Sequence, residues 1–427
     1  MVRRIFLLIS LAYILVIAGL ATLRGELLAL VVPVVLYLLI GLARAPETIQ
    51  LKIRRSLGSE RAAPGALVRV TLAVSNIGPA LEEVFLEDIL PPGLQVRGGS
   101  NYHLLSLGSG KTFSWSYDIR GPRGYYAFTE VKVEASDLFG LLQRKKSYPV
   151  HGQLFVLPPV MRMQRVSIRP RRTNVYSGTI PARLGGPGVE FFGVRDYTPG
   201  DPPGWINWNI SARHPVNLYS NEFEQERVAD VGIVLDGRLR TNILRAGHSL
   251  FEYSVQAAAA LADAFLAQGN RVGMLLYGHY LHWTFPGYGK IQRERILQSL
   301  ARAEPGESLV FADLAHIPTQ LFPAHSQIVL VSPLVPGDYN VLLQLRARGY
   351  QVMVISPDPV RFELAYLPKL PESALAGRIV RMERAMLLNK LRHAGLQVLD
   401  WDVAHPFDQV GLGGLGRPAA WIRAIGR

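Results

Sequence analysis

Residues 231–401 alternate between short apolar runs and longer segments of helical period. Apolar runs occur at 231–236, 271–277, 327–332, 351–356 and 397–401, and helical periodicity occurs at 249–267, 291–302, 339–348 and 378–393. Strands buried on both faces of a parallel sheet have this length and composition, and a helix usually makes the crossover between them. The alternation therefore predicts an α/β domain with a largely parallel, doubly wound sheet.

The preceding segment, from about 47 to 158, has a different period. Runs such as 67–75 and 126–134 alternate apolar and polar residues, which is typical of strands with one buried face. Clusters containing glycine or proline, such as 91–93 and 121–124, separate these runs. Several short strands at close spacing predict an all-β sandwich.

Two apolar runs, 5–23 and 27–43, open the chain, and a short polar connector separates them. Each run can cross about 30 Å of hydrocarbon as a helix, the second only just. Basic residues lie before the first run and after the second, so the charge bias places both ends in the cytoplasm. The pattern predicts a transmembrane hairpin that contacts membrane lipid through residues 5–43. A cleaved signal peptide fits less well, because the first run is long and a second comes directly after it.

These patterns divide the chain into a transmembrane hairpin (1–44), a β-sandwich (45–159), a basic linker with a signature loop (160–230) and the α/β domain (231–427). The linker has no interleaved aromatic residues, so contact with a membrane surface is favoured over nucleic-acid binding. Its basic run consists of Arg162, Arg165, Arg169, Arg171 and Arg172.

The signature loop, residues 188–213, lacks sustained periodicity and contains a turn with three prolines. Pro199 presets φ for a turn, Gly200 can adopt the left-handed position after it, and Asp201 can cap the next segment. On a structural interpretation, Arg195 and Asp201 form a hydrogen-bonded latch and the two tryptophans pack under the sheet. On a functional one, Arg195, Asp201, Trp208 and Arg213 form a docking surface. The first is favoured, because tryptophans beside turn prolines more often fill gaps than face water.

The loop resembles the signature of the bacterial family called domain of unknown function 58. The residues that carry the resemblance are Gly193, Arg195, Tyr197, Pro199, Gly200, Asp201, Trp208, Ala212 and Arg213. Gly204 departs from the family pattern, which usually has a basic residue just after the Gly-Asp turn. The resemblance implies an α/β domain like von Willebrand factor type A, a MoxR-type AAA+ ATPase as partner, and a place in the plasma (inner) membrane.

The same resemblance points to the carboxyl ends of the strands as the place where a metal site would lie. Type A domains can hold a cation there with an Asp-x-Ser-x-Ser turn, a threonine and a later aspartate. In this chain Asp236 is followed by Arg238 and Arg240 at the serine positions, and Phe311 and Pro333 stand near the other two. Two arginines repel a dication and pair readily with a carboxylate. Asp236 is therefore a degenerate metal-site position, expected to cap the turn or pair with Arg238 or Arg240, without metal or cofactor.

Composition and the absence of certain motifs exclude several kinds of catalytic site. The absence of cysteine excludes thiolate nucleophiles and cysteine metal sites, and no Gly-x-Ser-x-Gly or His-Glu-x-x-His motif is found. We therefore expect a membrane-anchored cytosolic scaffold or adaptor rather than an enzyme. A metal-dependent hydrolase using Asp236 is one alternative. A nucleic-acid binder that uses the net charge of +13 is another, disfavoured by the predicted membrane anchor.

Overall fold

The chain forms two compact units, Met1–Leu157 and Pro158–Arg427. The structure, a computed structural model, describes residues 2–43, 48–136, 143–161, 163, 174–214, 217–308, 310–324, 326–368 and 370–410. The five arginines of the predicted basic linker, at 162, 165, 169, 171 and 172, lie outside these residues.

The first unit begins with helices where the sequence has its two apolar runs. These are α1 (Val2–Thr22), α2 (Gly25–Ala29) and α3 (Val31–Ala43). The break after α1 falls beside Leu23, whose φ of 50° lies in the left-handed region. In the part of the chain that the structure describes, we find no helix that combines the length and the apolarity needed to cross a membrane.

The rest of the first unit is β-rich, as predicted, and its strands form two sheets. One sheet has the order β1-β3-β7-β5 and the other β2-β9-β8-β4-β6, with antiparallel pairing except between β2 and β9. A single apolar core takes side chains from both sheets, including Leu72 and Ile119 from one and Leu86 and Phe128 from the other. The strands are β1 (Leu51–Leu57), β2 (Arg61–Ala62), β3 (Val68–Asn76), β4 (Leu81–Asp88), β5 (Gln95–Gly98), β6 (Tyr102–Leu107), β7 (Thr112–Arg120), β8 (Gly124–Ser136) and β9 (Gln143–Val156).

The second unit begins with a two-stranded antiparallel ribbon of β10 (Asn174–Asp196) and β11 (Tyr219–Val228). This ribbon lies within the segment 160–230 that the sequence assigns to a basic linker and a signature loop. The prolines and glycines of β10 are accommodated by shifts of register, for example between Ala182 and Gly185. Such irregularities let a strand continue past residues that weaken regular pairing.

The remainder of the second unit is α/β, as predicted. Its six-stranded sheet has the order β16-β15-β12-β17-β18-β19 and is parallel except for the edge strand β16. Its strands are β12 (Asp230–Asp236), β15 (Arg271–Tyr277), β16 (Leu281–Gly287), β17 (Gln327–Val331), β18 (Gln351–Pro357) and β19 (Gln397–Trp401), and β13 (Leu244–Arg245) pairs with β14 (His248–Ser249) outside the sheet. Its helices are α4 (Trp208–Ser211), α5 (Leu250–Ala267), α6 (Gly289–Arg302), α7 (Asp338–Ala347), α8 (Pro359–Leu364) and α9 (Pro371–His393).

The central strand β12 determines where a site can form. It pairs with β15 on one side and with β17 on the other. Strands are thus added first on one side of β12 and then on the other, so the strand order reverses there. Numbered along the chain, the strands of this sheet have the order 3-2-1-4-5-6, whose topological switch point lies between the first and fourth. Crevices that bind ligands in such sheets open at the carboxyl ends of the strands there. In this protein that edge carries Asp236 and, just after β17, Ser332.

Candidate functional site

The signature loop is closed by a hydrogen-bonded turn. Arg195, at the end of β10, donates from Nη2 to Oδ1 of Asp201 at 2.6 Å. The Thr198 amide donates to Oδ2 of the same carboxylate at 3.0 Å. Gly200 has a φ of 115°, which only glycine adopts without strain. Arg195 and Asp201 are therefore paired across the turn, and Pro199 and Gly200 lie within it.

The paired side chains are partly open to solvent, with the arginine 36% exposed and the aspartate 11% exposed. The hydrogen bond from Arg195, followed by that from the Thr198 amide, holds the pKa of Asp201 below its ordinary value. The same hydrogen bond raises the pKa of Arg195. Both groups are thus charged at neutral pH, and the latch is an ion pair at the surface rather than in the interior.

Trp208 is not packed under the sheet, so this prediction was wrong: its side chain is 66% exposed. The cause is local. Asn207 caps α4 by accepting a hydrogen bond from the Ile210 amide, which makes Trp208 the first helical residue, on the outside of the turn. Trp205 is half-buried, as are Gly193 and Tyr197, whereas Ala212 and Arg213 follow α4 and are exposed.

A second group of polar side chains lies at the carboxyl edge of the sheet. We call Asp236, Arg238, Ser332 and Asp338 the edge cluster, and each is at most 2% exposed. Arg238 binds Asp236 through Nε and Nη2, at 2.8 and 2.7 Å. It binds Asp338 through Nη1 and Nη2, at 3.0 and 2.9 Å. One guanidinium therefore holds two carboxylates, each by two hydrogen bonds.

The carboxylates of the edge cluster have further partners. Ser332 donates its hydroxyl to Oδ2 of Asp236 at 2.6 Å, and the Arg238 amide donates to Oδ1 at 3.1 Å. Oδ2 of Asp338 accepts the Val335 amide at 3.0 Å. Burial alone lowers the pKa of Arg238, but the hydrogen bonds and charges of both aspartates outweigh it and raise that pKa above its ordinary value. The guanidinium is therefore positively charged where it lies between the two aspartates.

Sequence reasoning named Asp236 with Arg238 and Arg240 as its candidate partners. Arg238 makes the pair, whereas Arg240 lies at the surface and binds Asp313 at 2.6 Å. Ser332 and Asp338 were missed. The one signal for Asp338 was its place at the start of α7, just after the run Pro-Leu-Val-Pro-Gly that follows β17.

Two backbone features hold the edge cluster in place. Gly278 approaches Gly237 so closely that a Cβ at Gly278 would lie 2.5 Å from the Gly237 carbonyl. This contact brings the ends of β12 and β15 together, and the Gly237 amide donates to the Tyr277 carbonyl. On the other side Leu334 has a φ of 65°, a strained conformation for a branched side chain, and its amide donates to Ser332 Oγ.

The edge cluster does not fit the cation that the type A resemblance implies. A hard cation such as Mg²⁺ needs free oxygen ligands at about 2.0–2.1 Å. Three of the four carboxylate oxygens accept two hydrogen bonds each, and the fourth accepts one from Arg238. The described residues also contain no group of three or more histidine or acidic side chains able to hold a metal.

A third feature is an apolar stripe on α9. Four side chains at positions i, i+4, i+7 and i+11 point away from the unit and are 52–68% exposed. They are Leu375, Ile379, Met382 and Met386, and we call them the α9 stripe. The opposite face of the helix buries Gly377, Leu388 and Leu391, so α9 is anchored to the unit. The sequence predicted a helix at 378–393 but not that its apolar residues occupy two faces.

Two solved structures illustrate the distant similarities that the comparisons found. A CARDB domain from Pyrococcus furiosus is 12% identical and aligns 26% of this chain with 92% of its own, at a TM-score of 0.18. Proximal thread matrix protein 1 of the mussel byssus is 14% identical and aligns 34% of this chain with 42% of its own, at a TM-score of 0.23. At such TM-scores neither similarity carries an argument.

The sequence comparisons are more informative. The chain is 27% identical over 197 residues to the uncharacterized protein YeaD of Bacillus subtilis (strain 168). This similarity covers 45% of the chain, which spans about half (47%) of the length of that relative. Residues 193–373, from the signature loop to the start of α9, match the family described as Protein of unknown function DUF58.

Proposed function

We propose that this protein is an adaptor that binds a partner protein through its α/β unit. The α9 stripe is the observation that carries the proposal. Contiguous exposed apolar side chains are unfavourable in water and mark interaction surfaces in soluble domains. Two of the four side chains are methionines, which adapt readily to the shape of a partner.

The geometry of the α9 stripe supports recognition of a helix by a groove. Its first and last residues, Leu375 and Met386, are 11 positions apart, which corresponds to about 16 Å along a helix. Anchors at such helical spacings are those used when one protein lays a helix into an apolar groove of another. Arg378 and Arg381, both exposed, lie along one side of the stripe. The fitting partner is therefore a protein with an apolar groove and an acidic rim on that side.

The resemblance of the signature loop supports a MoxR-type AAA+ ATPase as that partner. The exposed Trp208 offers a second contact, since tryptophan often dominates the energy of protein interfaces. The loop itself is braced, because the Arg195–Asp201 pair and the hydrogen bond between Asn207 and Asn221 limit its freedom. A preformed surface loses less conformational entropy when it binds.

The two apolar runs of the N-terminal segment are the reason to propose a membrane anchor for this adaptor. Apolar side chains on α1 and α3 are exposed, among them Phe6 (69%) and Leu36 (56%). Basic residues on both sides of the two apolar runs favour a hairpin with cytosolic ends. We therefore place the protein at the plasma (inner) membrane, with its soluble units in the cytosol.

The two alternatives have less support. For a metal-dependent hydrolase, Asp236 would have to release the guanidinium of Arg238, from which it accepts two hydrogen bonds. For a nucleic-acid binder, the surface arginines would have to face phosphate, whereas Arg69, Arg240 and Arg361 bind aspartates of the same chain.

Site-specific photo-crosslinking in the native host tests the adaptor proposal. A benzophenone amino acid at Met382, on the α9 stripe, should give a crosslinked product that mass spectrometry identifies as an AAA+ ATPase. The matched control places the same amino acid at Phe285, which is 75% exposed on the edge strand β16. Ile379→Asp should remove the product while leaving the melting temperature unchanged. Equal crosslinking from both positions, or products without an ATPase, would contradict the proposal.

A further inference from the structure

Every N–H group of the Arg238 side chain has an acceptor within this protein. A guanidinium has five N–H groups. Four of them meet the two aspartates, and the fifth points to the Ala312 carbonyl at 3.4 Å. The N···O distances to the carboxylates, 2.7–3.0 Å, are those of charge-assisted hydrogen bonds. The arginine therefore has no donor left for an external anion.

Nη2 of Arg238 lies between the two carboxylates of the edge cluster. Oδ2 of Asp236 and Oδ2 of Asp338 both lie within 3 Å of this nitrogen, at 2.7 and 2.9 Å. The two carboxylates come from different segments, one from the last residue of β12 and one from the first residue of α7. Two buried carboxylates facing one another repel unless a positive charge lies between them.

We infer that the positive charge of the Arg238 guanidinium permanently replaces the divalent cation that the type A resemblance implies at this edge of the sheet. The residue that supplies the charge belongs to the turn after β12 itself, so the cation cannot exchange with solvent. It joins the end of β12 to the loop at Ala312 and to the start of α7. The arrangement of these segments is therefore independent of metal. This inference does not depend on the partner proposed above.

The inference predicts that removing the guanidinium creates a metal site. Without it, two carboxylates and the Ser332 hydroxyl remain, which are oxygen ligands of the kind that Mg²⁺ and Mn²⁺ prefer. A recess of about 300 Å³, lined by Arg238, Leu239, Arg240 and Phe311 among others, lies on the solvent side of the arginine that the substitution removes. In Arg240→Ala, the matched control, a surface arginine two residues away is removed and the edge cluster stays intact.

The experiment measures Mn²⁺ binding to the purified full-length chain by electron paramagnetic resonance, and thermal melting in EDTA or in millimolar Mg²⁺. The wild type and Arg240→Ala should bind no Mn²⁺ at this edge and melt alike in both solutions. Arg238→Ala should melt lower in EDTA, bind about one Mn²⁺, and recover roughly 2–4 °C in Mg²⁺ for each kcal/mol of binding energy. Adding Asp236→Asn to this variant should abolish both the binding and the recovery.

Two outcomes would overturn the inference. One is stoichiometric Mn²⁺ binding by the wild type that disappears in Asp236→Asn, because the arginine would then not exclude metal. The other is a folded Arg238→Ala protein that binds no Mn²⁺ and melts like the wild type. If Arg238→Ala does not fold in EDTA, Arg238→Lys provides the test. An ammonium there keeps the charge but loses the two-pronged geometry, so it should fold, melt lower than the wild type and remain unresponsive to Mg²⁺.

Discussion

Arg238 and Asp338 are 100 residues apart in the chain, yet two parallel hydrogen bonds of 3.0 and 2.9 Å join their side chains in the interior. The link connects the turn after β12 with the first residue of α7. A buried ion pair of this kind is costly to break by removing one partner, because the other charge stays behind without compensation.

Asp338→Ala should therefore be strongly destabilising. Arg238 would keep Asp236 but lose both hydrogen bonds to the second carboxylate, and we expect unfolding free energy to fall by roughly 3–5 kcal/mol. Urea denaturation followed by circular dichroism measures the change. Asp313→Ala is the matched control, because its carboxylate binds the surface residue Arg240, and its midpoint should not move. Equal midpoints for the two variants would show that the buried link contributes little.

Trp208→Ala should leave stability almost unchanged, because most of the side chain already faces water. We expect a difference within about 0.5 kcal/mol, as for most surface substitutions. Trp401 is 1% exposed, so Trp401→Ala should cost roughly 3–5 kcal/mol through loss of contacts and a cavity. The same denaturation series compares both variants, and a large loss for Trp208→Ala would mean that this tryptophan packs against the protein in solution.

The signature turn should open in acid. The pKa of Asp201 is held below its ordinary value by Arg195 and the Thr198 amide, so the latch contributes fully above the unfolded pKa of about 3.9. That contribution is lost as the pH falls through the lower folded value. Hydrogen exchange at the Thr198 amide, corrected for intrinsic rates, should lose protection in that range. Asp201→Ala should lack this protection already at neutral pH, whereas protection that persists in the variant would mean that another acceptor closes the turn.

Gly278→Ala should destabilise the carboxyl edge, because its Cβ would lie 2.5 Å from the backbone of Gly237. Backbone atoms cannot rotate away as the end of a side chain can, so we expect a loss of roughly 1–3 kcal/mol. Gly204→Ala is the control, since no atom lies within 4 Å of the added methyl group. Thermal melting distinguishes them, and a neutral Gly278→Ala would show that β12 and β15 can separate at their ends.

The proposed membrane topology predicts the behaviour of reporter fusions. A reporter that is active only in the cytosol, fused after Arg427, should be active, and one that is active only in the periplasm should be inactive. The basic residues on both sides of the apolar runs are the reason. A deletion of residues 2–43 should move the protein from the membrane fraction to the soluble fraction. The reverse reporter pattern would contradict both the orientation and a cytosolic ATPase partner.

The sequence was most informative where a pattern is local and strongly apolar. It predicted β15 and β19 with the bounds that the structure has, because each is an apolar run between polar or glycine-containing turns. It missed the edge strand β16, which is only half-buried and contains Pro286, so its alternation is weak.

The candidate site was predictable only where its residues lie close together in the sequence. Asp236 and Arg238 are two residues apart, so their pairing follows from local geometry. Asp338 reaches Arg238 only because β17 pairs beside β12, and the sequence does not indicate which strands are neighbours. The prediction for Trp208 failed because a general preference of tryptophan for the interior was outweighed by one capping residue, Asn207.

The place of β19 in the sheet has a practical consequence for protein production. The segment shared with the DUF58 family ends at residue 373, before most of α9 and all of β19. A fragment cut there would expose the hydrogen-bonding edge of β18 and remove Trp401, which packs against Tyr253 of α5. Such an open edge invites pairing between chains and aggregation. The segment that matches the family is thus shorter than the smallest fragment that can be expected to fold. Fragments made for expression need to extend at least through Phe407, whose ring packs against Trp401.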